Sequence, residues 1–157
     1  MNIDITIPNL ERLQSTFSLF PEIAGPFLRT ASMQSAFEVE KEAKLFTPVD
    51  TGRLRATIAT SLGVADLGLT SIVSTNVNYA LAVHEGSKPH AAPYAPIKAW
   101  AKRHGVPAGA VWWSIKTKSR KGRPFMKQGA EKAKEAIERY YGKALTNTVQ
   151  EIAKKVQ

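Results

Sequence analysis

The sequence predicts an α+β domain: long N-terminal and C-terminal helices packed on a small antiparallel β-sheet, with an insertion of short helices and loop. Three observations predict it. Residues 27–46 and 124–157 carry apolar side chains at helical spacing, residues 56–62 and 69–76 are rich in β-branched residues, and a turn sits between helix and sheet. That turn is Thr47-Pro48-Val49-Asp50-Thr51-Gly52-Arg53-Leu54-Arg55. Pro48 cannot continue a helix and pushes Thr47 out of the α region. Asp50 and Thr51 bond to nearby amides in turns and caps, and Gly52 accepts backbone angles that other residues avoid. An extended chain beyond it would point Arg53 and Arg55 one way and Leu54 the other.

At 157 residues, with 43% apolar and 22% charged residues, the chain suits one globular domain with a real core. It divides into 1–47 (strand plus helices), 48–78 (hairpin), 79–123 (short helices and basic loop) and 124–157 (C-terminal helix). No apolar run approaches the roughly 18 residues that span a bilayer. Met1-Asn2-Ile3-Asp4 lacks the basic start and apolar block of a signal peptide. The absence of cysteine excludes disulfides and thiolate metal sites, so synthesis in a cytoplasm is expected. Charge is uneven: residues 1–83 carry 6 Lys/Arg against 8 Asp/Glu, and residues 84–157 carry 16 against 5. The basic second half suits an anionic partner, nucleic acid or acidic protein, or is the solvated face of a lysine-rich helix.

In chain order, Ile3, Ile5 and Ile7 alternate with polar residues and predict a strand at 2–7. Pro8 ends it, and Asn9 caps a helix to about Leu19. Pro21, Gly25 and Pro26 punctuate the next piece. The helix over 27–46 buries Ala31, Ala36, Val39, Ala43 and Phe46 on one stripe. The two strands are joined by a loop containing Gly63, Asp66 and Gly68, and must pack on helices because an isolated hairpin is marginal in water. Residues 79–86 form a short helix stopped by Gly86, and 87–96 is an exposed proline-rich loop. A helix over 97–104 ends at Gly105, and Pro107 opens the next, which carries Val111, Trp112, Trp113 and Ile115 with at least one Trp in the core. A basic run, Lys116, Lys118, Arg120, Lys121 and Arg123, leads to Pro124. Phe125 and Met126 introduce the last helix, whose stripe is Met126, Ala130, Ala133, Ile137, Tyr140, Ala144, Val149, Ile152 and Val156. Gly142 weakens it.

Little here supports catalysis. His84-Glu85 begins like a zinc-protease helix, but the second histidine would fall at position 88, which is Lys. His84, His90 and His104 would have to converge for a metal site. Neither a phosphate-cradling glycine loop nor a nucleophile elbow is present. The expectation is a non-enzymatic protein with no cofactor and no metal. Trp112 and Trp113 beside the basic run combine stacking surfaces with phosphate attraction, which makes nucleic-acid binding a competing reading.

Four motifs occur in order: Thr47 to Arg55; Asn76-Val77-Asn78-Tyr79-Ala80 with Val83-His84-Glu85-Gly86; Pro96-Ile97-Lys98-Ala99-Trp100; and Arg123-Pro124-Phe125-Met126 before a long helix. With them the sequence resembles the tail-completion or neck protein family of long-tailed bacteriophages, the minor tail components, over about residues 5–145. His84-Glu85 departs from an acidic-aromatic pair, and the 88–93 loop is richer in proline. The resemblance implies a non-enzymatic virion protein at the head–tail junction, made in the bacterial host cytoplasm and working as a homo-oligomeric ring, a hexamer. Its implied partners are neighbouring neck and tail proteins: the head-closure or stopper protein, the tail terminator and the tail tube. Non-specific contact with phage DNA is compatible, and no membrane is involved. A tail terminator ring is the alternative within the virion, and a basic nucleic-acid-binding protein the alternative outside it.

Rings need two different patches on each subunit. Candidates are the hairpin end (Gly63, Asp66, Gly68) and the 87–96 loop with the basic stretch, including His84, Glu85 and His90. Deletion of that loop is expected to spare folding but impair assembly. Arg53 and Arg55 would pair with a neighbour's acids or with Glu38 or Glu42. Tyr79, Trp100, Phe125 and Met126 are expected core anchors.

Overall fold

The computed structural model describes residues 18–63 and 70–156. The expected strand at 2–7, most of the helix after it, and Asp66 and Gly68 of the hairpin loop lie outside the described residues. The elements are α1 (Phe20–Phe46), α2 (Arg53–Thr57), β1 (Ala59–Leu62), β2 (Ser71–Ser74), α3 (Ala80–Glu85), β3 (Gly86–Ser87), α4 (Tyr94–His104), α5 (Ala108–Thr117), β4 (Arg120–Lys121) and α6 (Phe125–Val156). Long helices flank a small antiparallel β region, an α+β arrangement.

α1 and α6 form the main contact. α1 begins seven residues before the expected start, running through Gly25 and Pro26. Pro21 lies in its first turn, where a missing N–H costs nothing. Pro26 does forfeit an internal bond, but this turn buries Ile23 and Ala24, and burial offsets the loss. The buried face of α1 is small: Ala31, Ser32, Ser35, Ala36 and Ala43. Facing it, α6 buries Gly129, Ala133, Ala144 and Thr148. Ala31 lies near Ala144 and Ala43 against Gly129, so the helices run antiparallel.

The middle of the α6 stripe is buried as its spacing predicts, at Ala133 and Ala144, but two of its positions are one residue out of register. Ala130 is exposed and Val149 is 64% exposed, while Gly129 and Thr148 take the buried places. Backbones this close select for small volume rather than hydrophobicity. Thr148 buries cheaply because its Oγ1 donates to the Ala144 carbonyl at 2.8 Å. At the end of α1, likewise, Phe46 is exposed while Thr47 is buried, its Oγ1 donating to the Ala43 carbonyl at 2.6 Å.

β1 and β2 pair from Ala59↔Ser74 to Leu62↔Ser71, both shorter than expected. The hairpin lies on α1, as an isolated ribbon must to persist. The Thr60 N–H donates to Glu40 Oε2 at 2.7 Å, and the Ser32 and Ser71 hydroxyls meet at 2.8 Å. Beneath its foot, Leu54, Ile58, Val77, Ala80 and Phe125 make a core cluster, with Val73, Val83 and Met126 against it. Phe125 is thus the anchor the sequence predicts, and Met126 packs at its margin.

α3 stops at Gly86, whose φ is 96°. Beyond it the chain does not enter a plain loop: Gly86–Ser87 pairs with Arg120–Lys121. A side chain on Gly86 would strike the Arg120 carbonyl, and one on Gly122 would strike the His84 and Glu85 backbone. Two glycines therefore let these backbones cross. α4 begins at Tyr94, earlier than expected, and ends at Gly105. Pro107 precedes α5, and no residue of that helix is buried. The expected core Trp is absent from it: Trp112 is half-buried and Trp113 is 60% exposed.

Candidate functional site

The turn after α1 is held together residue by residue. Thr47 bonds back onto α1 through its hydroxyl, and Arg55 Nη2 donates to the Thr47 carbonyl at 3.1 Å. Gly52, at φ 80°, starts α2, which places Leu54 in the core. Residues 53–57 are helical, not extended, so Arg53 and Arg55 do not share a strand face. Neither arginine pairs with an acid among the described residues. Glu38 and Glu42 are held by Lys41 at 2.7 and 3.6 Å, and Glu40 by Lys44 at 2.6 Å. Those lysines lie within four residues of the acids on the same helix, whereas Arg53 and Arg55 follow the break at Pro48.

Asp50 does more than cap a turn. Arg103 Nη2 donates to its Oδ2 at 2.9 Å, and His104 Nε2 lies 3.0 Å from its Oδ1. The His104 hydrogen bond, then the Arg103 charge, hold the Asp50 carboxyl below its usual range. His104 also stacks on Trp100, ring centroids 4.2 Å apart and 26° from parallel. The turn is thereby latched to the C-terminal end of α4, where cationic side chains suit the helix dipole. Nothing in local spacing relates Asp50 to residues 53 and 54 positions away; the basic end of α4 was the one available signal.

Beside this latch lies a cleft of about 610 Å³. Its floor is apolar, from Ile97 and Trp100 of α4 and Val111 and Ile115 of α5. Ser87, His90 and Pro96 close one side, and Asp50, Arg103 and Arg120 stand on the others. The structure thus gathers three predicted segments: the turn, the proline-rich loop and the basic stretch. The loop is stitched to α5, since the His90 N–H donates to the Ile115 carbonyl at 3.2 Å and Trp112 Nε1 to the Ala92 carbonyl at 2.9 Å. Deleting 87–96 would remove a wall of the cleft and orphan the Trp112 indole, so this deletion should disturb folding as well as docking.

Other predicted site residues go elsewhere. Lys118, Lys121 and Arg123 are exposed outside the cleft lining, and Lys116 lies over the Trp112 and Trp113 rings at 5.0 and 5.8 Å. Glu85 is exposed at the end of α3, and Gly63 sits at the hairpin end, its N–H donating to the Thr70 carbonyl at 2.7 Å. His84 is half-buried: it meets the Phe125 ring edge-on at 5.3 Å, with Nε2 buried. Tyr79 is 41% exposed and is no core anchor; it lines a smaller cleft of about 250 Å³ over Pro48–Leu54. Trp100 is half-buried, a cleft residue rather than a core one. The three histidines do not converge, and no cluster of three or more His, Asp or Glu suited to a metal occurs among the described residues. No described helix is long and apolar enough to cross a membrane. Comparison of the chain with protein-family models, with curated proteins and with solved structures gave no match.

Proposed function

We propose that this protein is a structural component of a tailed-phage or prophage virion, a tail-completion or neck subunit that assembles as a ring at the head–tail junction. One observation carries the reading: the four sequence motifs behind the phage resemblance converge in space. Leu54, Val77, Ala80 and Phe125 come from three of them and share one core cluster. Ile97 and Trp100 of the remaining motif line a cleft with Asp50 of the first. Their order along the chain is therefore the order of one packed unit, whose outer surface is left for docking. Leu62 and Ile72 of the hairpin are about half exposed, and a two-stranded ribbon gains stability when another chain covers it. The hairpin is the ring-forming patch in this reading, and the cleft face meets the neighbouring neck or tail protein.

Electron microscopy of particles made without the protein tests it. Normal-length tails that fail to join heads are expected. Overlong tails would assign a terminator ring instead, and joined, infectious particles would end the virion reading.

A second reading is favoured by Trp113, 60% exposed with Lys116 over its ring: a nucleic-acid-binding protein that stacks bases beside a basic stretch. Salt-sensitive retention of the isolated protein on DNA, together with its absence from purified particles, would select it.

A further inference from the structure

We propose that the cleft between α4 and α5 receives an acidic segment of another protein, a short stretch in which one bulky apolar side chain is flanked by carboxylates. The inference names the partner chemistry of the cleft face and rests on the docking reading only for the partner's being a protein.

The cleft is concave and of the size that holds side chains or small ligands. Ile97, Trp100, Val111 and Ile115 give it an apolar floor, which calls for an apolar insert and disfavours a phosphate backbone. Arg103 and Arg120 stand at its rim. The rim's one acid, Asp50, is already engaged at both oxygens, by Arg103 and His104. Arg120 donates to Ser114 Oγ at 3.1 Å, using one of the five N–H donors of a guanidinium. An incoming carboxylate would thus meet an oriented, incompletely satisfied arginine at the edge of an apolar pocket, the setting in which an arginine contributes strongly to binding.

Charge also argues against a second copy of this chain as the occupant. Glu38, Glu40, Glu42, Glu131, Glu138 and Glu151 each have a lysine within 4.0 Å. Most of the acids another copy could present would therefore bring lysines with them, Glu22, Glu85 and Glu135 being the described exceptions. A foreign acidic segment fits better.

The test is fluorescence anisotropy on the full chain with labelled synthetic nonapeptides, one apolar residue between aspartates. The acidic peptide with tryptophan or leucine at its centre should bind saturably. Arg120→Glu and Val111→Ser should each weaken it by about tenfold. Lys132→Glu, the same charge change at an exposed site of α6, should shift it less than about twofold. Circular dichroism confirms that each variant is folded, and the exposed Arg120 position keeps the test valid if Val111→Ser is not.

Four results would overturn the inference. One is no saturable binding up to about 1 mM peptide; a second is equal binding by the peptide with serine at its centre. The others are equal losses in Arg120→Glu and Lys132→Glu, or stronger binding of a 12-nucleotide oligothymidine that displaces the peptide, which would make the face a nucleic-acid surface. None of them alters the tail phenotype that tests the virion reading, so the two fail separately.

Discussion

Gly129 lies so close to Ala43 that a Cβ placed on it would come within 2.5 Å of the Ala43 nitrogen and 2.7 Å of its Cα. Backbone, unlike a side-chain tip, has nowhere to rotate. Replacing Gly129 by alanine would gain helix propensity of about 1 kcal/mol. It would also push apart the two longest helices, with an overpacking cost of about 1–3 kcal/mol. Overpacking wins in this setting, so Gly129→Ala should lower the urea midpoint of unfolding.

Gly142, thirteen residues on in the same helix, is the opposite case. Nothing lies within 4 Å of a Cβ there, and the position is exposed. Gly142→Ala should stabilise the protein by about 0.5–1 kcal/mol, read from the same urea titration. If the two alanines shifted stability equally, the close approach of α1 and α6 would be wrong.

Phe125 is 1% exposed at the centre of the cluster formed by Leu54, Ile58, Val77 and Ala80. Phe125→Ala should cost about 3–5 kcal/mol by leaving a cavity beneath the hairpin. Thermal unfolding should then begin well below the wild-type temperature, and Phe125→Leu should recover part of the loss.

Gly122 faces the carbonyl of His84 and the backbone of Glu85, and the next N–H, of Arg123, donates to the Val83 carbonyl at 2.8 Å. In Gly122→Ala the β3–β4 pair should open. Amide exchange at Arg123 should quicken, while exchange within α6 stays at its wild-type rate.

Glu40 is held below its usual value of about 4.5, first by its bond from Lys44 and then by the Thr60 donors. A depressed folded pKa gives stability that is complete above the unfolded value and is lost as pH falls through the folded one. Unfolding free energy should therefore decline as pH drops below about 4.5, and Glu40→Gln should flatten that decline. Asp50 titrates in the same direction through His104 and Arg103. It is open to solvent, so Asp50→Asn should flatten the curve less than Glu40→Gln does.

Much of this architecture is legible along the chain because its signals are local. The helix-stopping Pro48, the stop at Gly86 and the entry of Phe125 into the last helix each act within a few residues. What misleads is local in another way. Gly25 and Pro26 read as breaks, yet α1 runs through them, because burial of Ile23 and Ala24 is a property of the packed helix and not of the dipeptide. The α6 face reads as apolar, yet it buries Gly129 and Thr148 in place of Ala130 and Val149, because the distance to α1 decides which volumes fit.

By itself, then, the sequence determined the class of the fold, the places of the long helices and the main hairpin, the turn that opens at Thr47 and the core role of Phe125. Tertiary structure alone decided that Asp50 latches onto Arg103 and His104, that the chain crosses itself at Gly86 and Gly122, and that α4, α5 and the proline-rich loop line one open cleft with Arg103 and Arg120. The reason is physical. Propensity, capping and periodicity act over a few residues and leave a trace in spacing, whereas a contact spanning more than thirty or fifty positions depends on how the helices finally dock, which no neighbouring residue records.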